Sequence, residues 1–188
     1  MDYYIDIELF PKGELRENIL LNQLYTEFHK RLYDLKSSDI GVSFPRYRKK
    51  LGDVFRIHGD QESLEQLQSQ MWIVKYEKNY HISKIKPIPK SVKYRIVSRV
   101  QQNMSQSKLR RLIKRAEEGK GGFSQEDIKK YKIKMLQGGL GNPFVDLISG
   151  SNGKRHRRFI DFGDISNEPK EGSFDSFGLS REATIPWF

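Results

Sequence analysis

The sequence predicts an α+β fold, and three observations lead there. Strand patterns and helical stripes alternate in the order β-α-β-β-α-β over residues 1–90. A helix with one wholly cationic face follows. Further strand patterns then close on a tail that ends in two aromatic residues. The first order is that of a ferredoxin-like (RRM-like) domain, placed at 1–90. Residues 94–188 form a C-terminal α+β domain that carries an arginine-rich helix at about 106–119.

Tyr3–Leu9 alternates apolar and polar residues in its second half, the mark of a half-buried strand. Pro11-Lys12-Gly13 turns the chain. Over 14–36, Leu21, Leu24, Phe28, Leu32 and Leu35 recur at three- and four-residue spacing and form one stripe of a helix. Ile40–Pro45 is a short strand ended by proline, and Val54–His58 is another. Asp60 can cap a helix from Gln61 to about Gln70. Tyr80–Ile85 is a fourth strand, closed by Pro87 and Pro89. Lys86–Lys93 reads as the connector between the halves.

Beyond it, Tyr94–Gln101 is an extended segment. In the helix that follows, Leu109, Leu112, Ile113 and Ala116 share one side. Lys108, Arg110, Arg111, Lys114 and Arg115 fill the other, and Glu117 and Glu118 come only at its end. Solvated helix faces normally mix signs; a face given over to Lys and Arg suits a polyanion such as nucleic acid. Ser124, with Asp127 three residues on, starts another helix over 125–137, and Gly138-Gly139-Leu140-Gly141 ends it. Phe144–Ile148 and Arg158–Phe162 are strands. Between them Ser149–Arg157 is a glycine-serine loop that turns basic. The tail to Trp187-Phe188 is too apolar to float free and should pack.

The 188 residues carry a net charge of +10 and an isoelectric point near 9.6. The charge is localised: residues 93–120 hold nine Lys or Arg against two Glu, a net of +7. A chain without cysteine has no disulfide scaffold, thiolate metal site or cysteine nucleophile. His29, His58, His81 and His156 have no metal-ligand spacing, so neither a metal nor a cofactor is predicted. Met1-Asp2-Tyr3 runs straight into a strand with no signal peptide, and no apolar run approaches the ~20 residues that span a bilayer. A soluble, cytoplasmic protein is expected.

Six segments, in order along essentially the whole chain, resemble the CRISPR repeat-processing endoribonucleases of subtype I-F (the Ypest subtype). They are Met1–Ile7, Phe28-His29, Ile40–Pro45, Val97–Gln101, Asn142–Val145 leading to Ser149-Gly150-Ser151, and Phe177–Ser180 with Pro186-Trp187-Phe188. The resemblance implies a small protein, monomeric on its RNA, that binds a CRISPR repeat hairpin and cuts at the 3′ base of the stem. The cut is metal-free, uses the RNA's own 2′-hydroxyl, and leaves a 2′,3′-cyclic phosphate or 3′-phosphate and a 5′-hydroxyl. The protein stays on the guide RNA, which joins the other subunits of a type I-F surveillance complex.

By the same resemblance His29 is the general base, a role that suits a side chain whose reference pKa is ~6.5. On spacing alone His29 is a boundary residue beside the apolar stripe. Ser149, with Ser151 as the second candidate, positions the 2′-hydroxyl; read alone, both are ordinary turn residues. Arg99 and Gln101 match positions that read base edges, and their i, i+2 spacing puts them on one side of an extended segment. Lys108, Arg110, Arg111, Lys114 and Arg115 contact RNA, mainly its phosphates, because the major groove of A-form RNA is too narrow for side chains to read. Arg155 and Phe177 complete the RNA-contacting set.

Three departures from the family pattern stand out. Phe177 replaces a tyrosine, which leaves a ring for stacking but no hydroxyl. Ile148 precedes Ser149 where an arginine can occur, and the arginine helix is one residue shorter. Two other readings compete: a non-catalytic RNA-hairpin-binding subunit of a ribonucleoprotein, and a DNA-binding protein, which would bind DNA and RNA hairpins equally.

Overall fold

The computed structural model describes residues 1–73, 78–100, 106–120, 124–137, 141–148, 153 and 155–188. In it, two antiparallel sheets share one hydrophobic core. The first sheet is built from β1 (Tyr3–Leu9), β2 (Gly41–Ser43), β3 (Val54–Gly59), β4 (Tyr80–Ile82) and β5 (Lys86–Pro87). Its order is β2-β3-β1-β4, with β5 also on β1. The two helices of this half are α1 (Glu17–Leu35) and α2 (Gln61–Ser69).

Alternation in β1 buries Ile5, Ile7 and Leu9. The α1 stripe of Leu20, Leu21, Leu24, Tyr25, Phe28 and Leu32 is buried, and Tyr25 and Phe28 meet Phe55 edge-on. Lys36, in the left-handed region at φ 51°, ends the helix. Asp60 accepts from the Ser63 N–H at 2.8 Å and caps α2, as the sequence predicted.

The second sheet runs β7-β8-β6-β9, from β6 (Lys93–Val100), β7 (Phe144–Ile148), β8 (Arg155–Ser166) and β9 (Ile185–Trp187). It faces the same core through Val97, Val145, Leu147, Ile160 and Ile185. The apolar tail does pack: β9 pairs with β6, and Phe188 meets Tyr4 edge-on. Its carbonyl accepts from Arg56, which is itself bidentate to Asp6. α3 (Gln106–Glu117) and α4 (Gln125–Gln137) pack on each other around a smaller cluster of Leu109, Ile128 and Tyr131, joined by Leu112, Ile113 and Ala116.

Three expectations are corrected. The connector Lys86–Lys93 is not all linker: Lys86 and Pro87 pair with Tyr4 and Tyr3. Proline is tolerated at such a strand end, where its missing N–H is not needed. The fourth strand stops at Ile82, because Ser83 holds β1 partly through its side chain, its Oγ accepting from the Asp6 N–H at 3.0 Å. The basic loop ends earlier than predicted. Arg155, His156 and Arg157 lie in β8 opposite Ile148, Leu147 and Asp146. The Arg157–Asp146 ion pair at 3.1 Å makes a charged strand tolerable there. Arg95, which adds to the positive count of its segment, is spent on structure. It donates to the Phe162 and Gly163 carbonyls and to the Tyr47 hydroxyl.

Candidate active site

His29 follows Phe28 on α1, about 100° further round the helix. Phe28 is fully buried and anchors the helix, so His29 falls at the rim of the core, half-exposed. A tight turn in the tail meets it there. The Asp175 carboxylate accepts from the Phe177 and Leu179 N–H groups at 2.8 and 3.0 Å. Gly178 sits at φ +68°, where a Cβ would come within 2.9 Å of Val42 Cγ1. Its carbonyl accepts from the Val42 N–H at 3.0 Å. Buried Tyr25 donates its hydroxyl to the Phe177 carbonyl at 2.8 Å.

This turn aims the Ser176 carbonyl at His29 Nδ1, 2.8 Å away. A carbonyl only accepts, so Nδ1 carries the hydrogen and Nε2 presents a free lone pair. The Phe177 ring lies flat on the imidazole, with centroids 3.5 Å apart and planes 10° apart. The Arg158 guanidinium carbon stands 3.4 Å from the Phe177 centroid, necessarily on the opposite face. Partial burial is the largest influence on His29 and lowers its pKa below the usual 6.5. The Ser176 hydrogen bond pulls upward. Arg158 pushes down, Asp175 up and His156 down. At neutral pH the imidazole is therefore an unprotonated base.

Of the sequence-predicted site residues, the structure brings His29 and Phe177 into contact. Arg99 is exposed on β6, opposite Ile160, and close enough to act on the Arg158 charge. Ser149, Ser151 and Gln101 lie outside the described residues. The ends that flank the two serines are described: Ile148 and Arg155 pair across β7 and β8. Both line a groove of about 760 Å³ with Thr26 and Lys30, which bracket His29 on α1. The Asn22 side chain accepts from the Asp146 N–H at 3.0 Å and fixes β7 against that helix. Lys108, Arg110, Arg111, Lys114 and Arg115 are exposed on α3, as their spacing predicted. Lys114 is 3.7 Å from Glu118. His58 is core: fully buried, with Nε2 2.8 Å from Ser43 Oγ and its pKa pushed well down by burial.

Sequence reasoning missed Arg158, Tyr25, Asp175 and the Ser176 carbonyl. Arg158 had a readable signal: period-two alternation puts it on the buried side with Ile160, and both are buried. Among the described residues no group of three or more His, Cys, Asp or Glu converges as a metal site would require, and no helix is long and apolar enough to cross a membrane.

An imidazole whose Nδ1 is held and whose Nε2 has no hydrogen-bond partner among the described residues, in a chain that also exposes five clustered cations, has the features of a class of protein suited to proton transfer on a polyanion. Known proteins narrow that class. The family model described as CRISPR-associated protein (Cas_Csy4) matches residues 4–188. The CRISPR-associated endonuclease Cas6/Csy4 of Escherichia coli (strain UTI89 / UPEC) is 33% identical over 189 residues, covering 100% of both chains. The protein of the same name from Pseudomonas aeruginosa (strain UCBPP-PA14) is 33% identical over 191 residues, again covering 100% of each. A solved CRISPR endoribonuclease, Cse3 bound to a 19 nt RNA, overlaps 99% of this chain with a TM-score of 0.39 and 11% identity. The chain belongs to the CRISPR-associated Cas_Csy4 family. The subtype I-F resemblance drawn from the six segments is thereby borne out.

Proposed function

We propose that this protein is an endoribonuclease that binds the repeat hairpin of a precursor CRISPR RNA and cuts it at the 3′ base of the stem without a metal. The observation that carries the reading is His29 itself. Its Nδ1 is bound to the Ser176 carbonyl and its ring is stacked on Phe177, which leaves Nε2 as an oriented base.

Nε2 takes the proton of the 2′-hydroxyl. The 2′-oxygen then attacks the adjacent phosphorus, and the bond from phosphorus to the 5′-oxygen breaks. The leaving oxygen gains a proton and becomes the 5′-hydroxyl, while the other product carries a 2′,3′-cyclic phosphate, which opens to a 3′-phosphate with water. Ser149, or Ser151, holds the 2′-hydroxyl in line. The cations of α3 and Arg155 bind phosphates, and Arg99 and Gln101 read bases near the cut. The strand order β2-β3-β1-β4 supports a ferredoxin-like domain over 1–90, with the hairpin-binding half over 94–188. The protein remains on its product as a monomer, and other subunits of a type I-F surveillance complex are its partners.

The test uses a synthetic repeat hairpin in excess EDTA, either all-RNA or with one 2′-deoxy nucleotide just upstream of the cut, and wild type or His29→Ala. Cleavage of only the all-RNA strand by only the wild type is expected. Tight binding with no cleavage of either strand would replace this reading with that of a non-catalytic hairpin-binding subunit.

A further inference from the structure

Arg158 is 6% exposed, yet no carboxylate grips it closely. Asp175 Oδ2 is 3.9 Å from Nη1, and its buried Nε has no hydrogen-bond partner among the described residues. A buried guanidinium held so loosely adds little to stability and often subtracts from it. Its closest recorded interaction is the face of Phe177, at 3.4 Å. The other face of that ring carries His29. Guanidinium, phenyl and imidazole thus form three layers, the outer two on opposite faces of the Phe177 ring.

We propose that Arg158 is a positioning residue for His29: acting through Phe177, it clamps the imidazole in place and opposes its protonation. This rests on the reading of His29 as general base. The clamp follows from chemistry. A phenyl ring has no polar atom of its own to fix its orientation. The turn fixes its backbone, through Asp175 and the Tyr25 hydroxyl, and the Tyr25 ring lies T-shaped to the phenyl with centroids 6.3 Å apart, which leaves both faces to be held. A planar cation on one face, through cation–π attraction, and a planar heterocycle on the other hold the ring flat. The electrostatic part follows from charge. An arginine stays protonated at any working pH, so an imidazolium one ring away is disfavoured.

Other groups among the described residues also surround His29. On β8, His156 acts in the same sense as Arg158, whereas Asp175 and the Ser176 carbonyl in the tail turn act against it. Tyr33, on α1 itself, presents an uncharged ring edge at 6.5 Å. Arg99, on β6, acts on Arg158. Among the described residues, Arg158 is the only Arg or Lys that acts on His29.

The experiment follows His29 by NMR of histidine-labelled protein without RNA, and measures single-turnover cleavage against pH in parallel. In the wild type without RNA the His29 midpoint should lie below 6.5, with the neutral base present above it, and cleavage should fall off on its acid side. Arg158→Met keeps the length and removes the charge. Both midpoints should rise by about half a pH unit, while hairpin affinity stays within about twofold. Arg158→Lys keeps the charge and loses the plane, so the midpoint should stay and cleavage should fall roughly tenfold. Phe177→Leu is a further arm, in which the ring-current shift of the His29 Cε1 proton disappears and cleavage falls.

An unmoved His29 midpoint in Arg158→Met overturns the proposal. So does a tenfold loss of affinity with the midpoint unmoved, which would make Arg158 a phosphate ligand, or wild-type cleavage by Phe177→Leu. The NMR arm needs no turnover. Cleavage by His29→Ala would instead overturn the general-base reading and leave the titration result standing.

Discussion

His29 and the α3 cations are held in opposite ways. The imidazole sits between a core helix and a turn over-determined by Asp175, Gly178 and the Tyr25 hydroxyl. The cations ride on a helix pair whose own cluster has three buried residues among those described. Proton transfer fails when a group is misplaced by an ångström, which suits a proposed base built into the main core. Phosphate binding draws on long-range charge and tolerates loose geometry, so the residues proposed for it need only a stable amphipathic surface. Two kinds of substitution should therefore separate: one set stops the cut and spares binding, and the other does the reverse.

The largest effect belongs to His29→Ala. Removing a general base costs about 10³-fold in rate. Single-turnover cleavage should fall by that factor at pH 7 while hairpin affinity changes less than about threefold. An equal loss in both would erase the contrast between the two regions.

Gly178→Ala comes next. It forces alanine to φ +68° and drives a methyl against Val42 and Phe28, a combined cost of about 2 kcal/mol. The midpoint of denaturant unfolding should drop accordingly. The Ser176 carbonyl moves with the turn, so cleavage should fall even where the protein is fully folded. Normal stability with normal cleavage would show that the turn is not what aims His29.

The two regions also differ in how far the sequence discloses them. Leu109, Leu112, Ile113 and Ala116 are legible as one face because all four lie within two turns. The caps at Asp60 and Ser124 are legible for the same local reason. The setting of His29 is not. Its partner carbonyl is 147 residues away, and a backbone carbonyl carries no residue identity to read. The resemblance singled out His29 and Phe177 separately, but only the fold reveals that they stack. Arg155–Arg157 read as loop in the sequence because their charge masks the alternation. Lys86–Pro87 reads as linker because proline usually ends a strand.

A smaller effect is expected from Arg111→Ala. It removes one exposed cation from α3, so affinity should weaken several-fold and equally for matched and mismatched hairpins. The slope of log affinity against log salt should fall by about one. The cleavage rate at saturating protein should not change. A loss confined to one base pair would make Arg111 a reader of sequence instead of a phosphate ligand.

The smallest effect tests how the cationic face is supported. Ser124 and Asp127 close a reciprocal cap: the Asp127 N–H donates to Ser124 Oγ at 3.1 Å, and the Ser124 N–H donates to the Asp127 carboxylate at 3.0 Å. That backbone hydrogen bond holds the Asp127 carboxyl below its usual pKa. Ser124→Ala removes half the cap, at about 1 kcal/mol. The loss falls on α4, whose Ile128 and Tyr131 meet Leu109 of α3 in a cluster separate from the main core. Amide exchange should therefore quicken across α3 and α4 and stay unchanged in α1 and β1. The α3 cations would be less well held, so hairpin affinity should slip by about twofold while the cleavage rate at saturation stays constant. Faster exchange at α1 as well would mean that the helix pair and the main core unfold as one unit, and binding and chemistry could then no longer be perturbed apart.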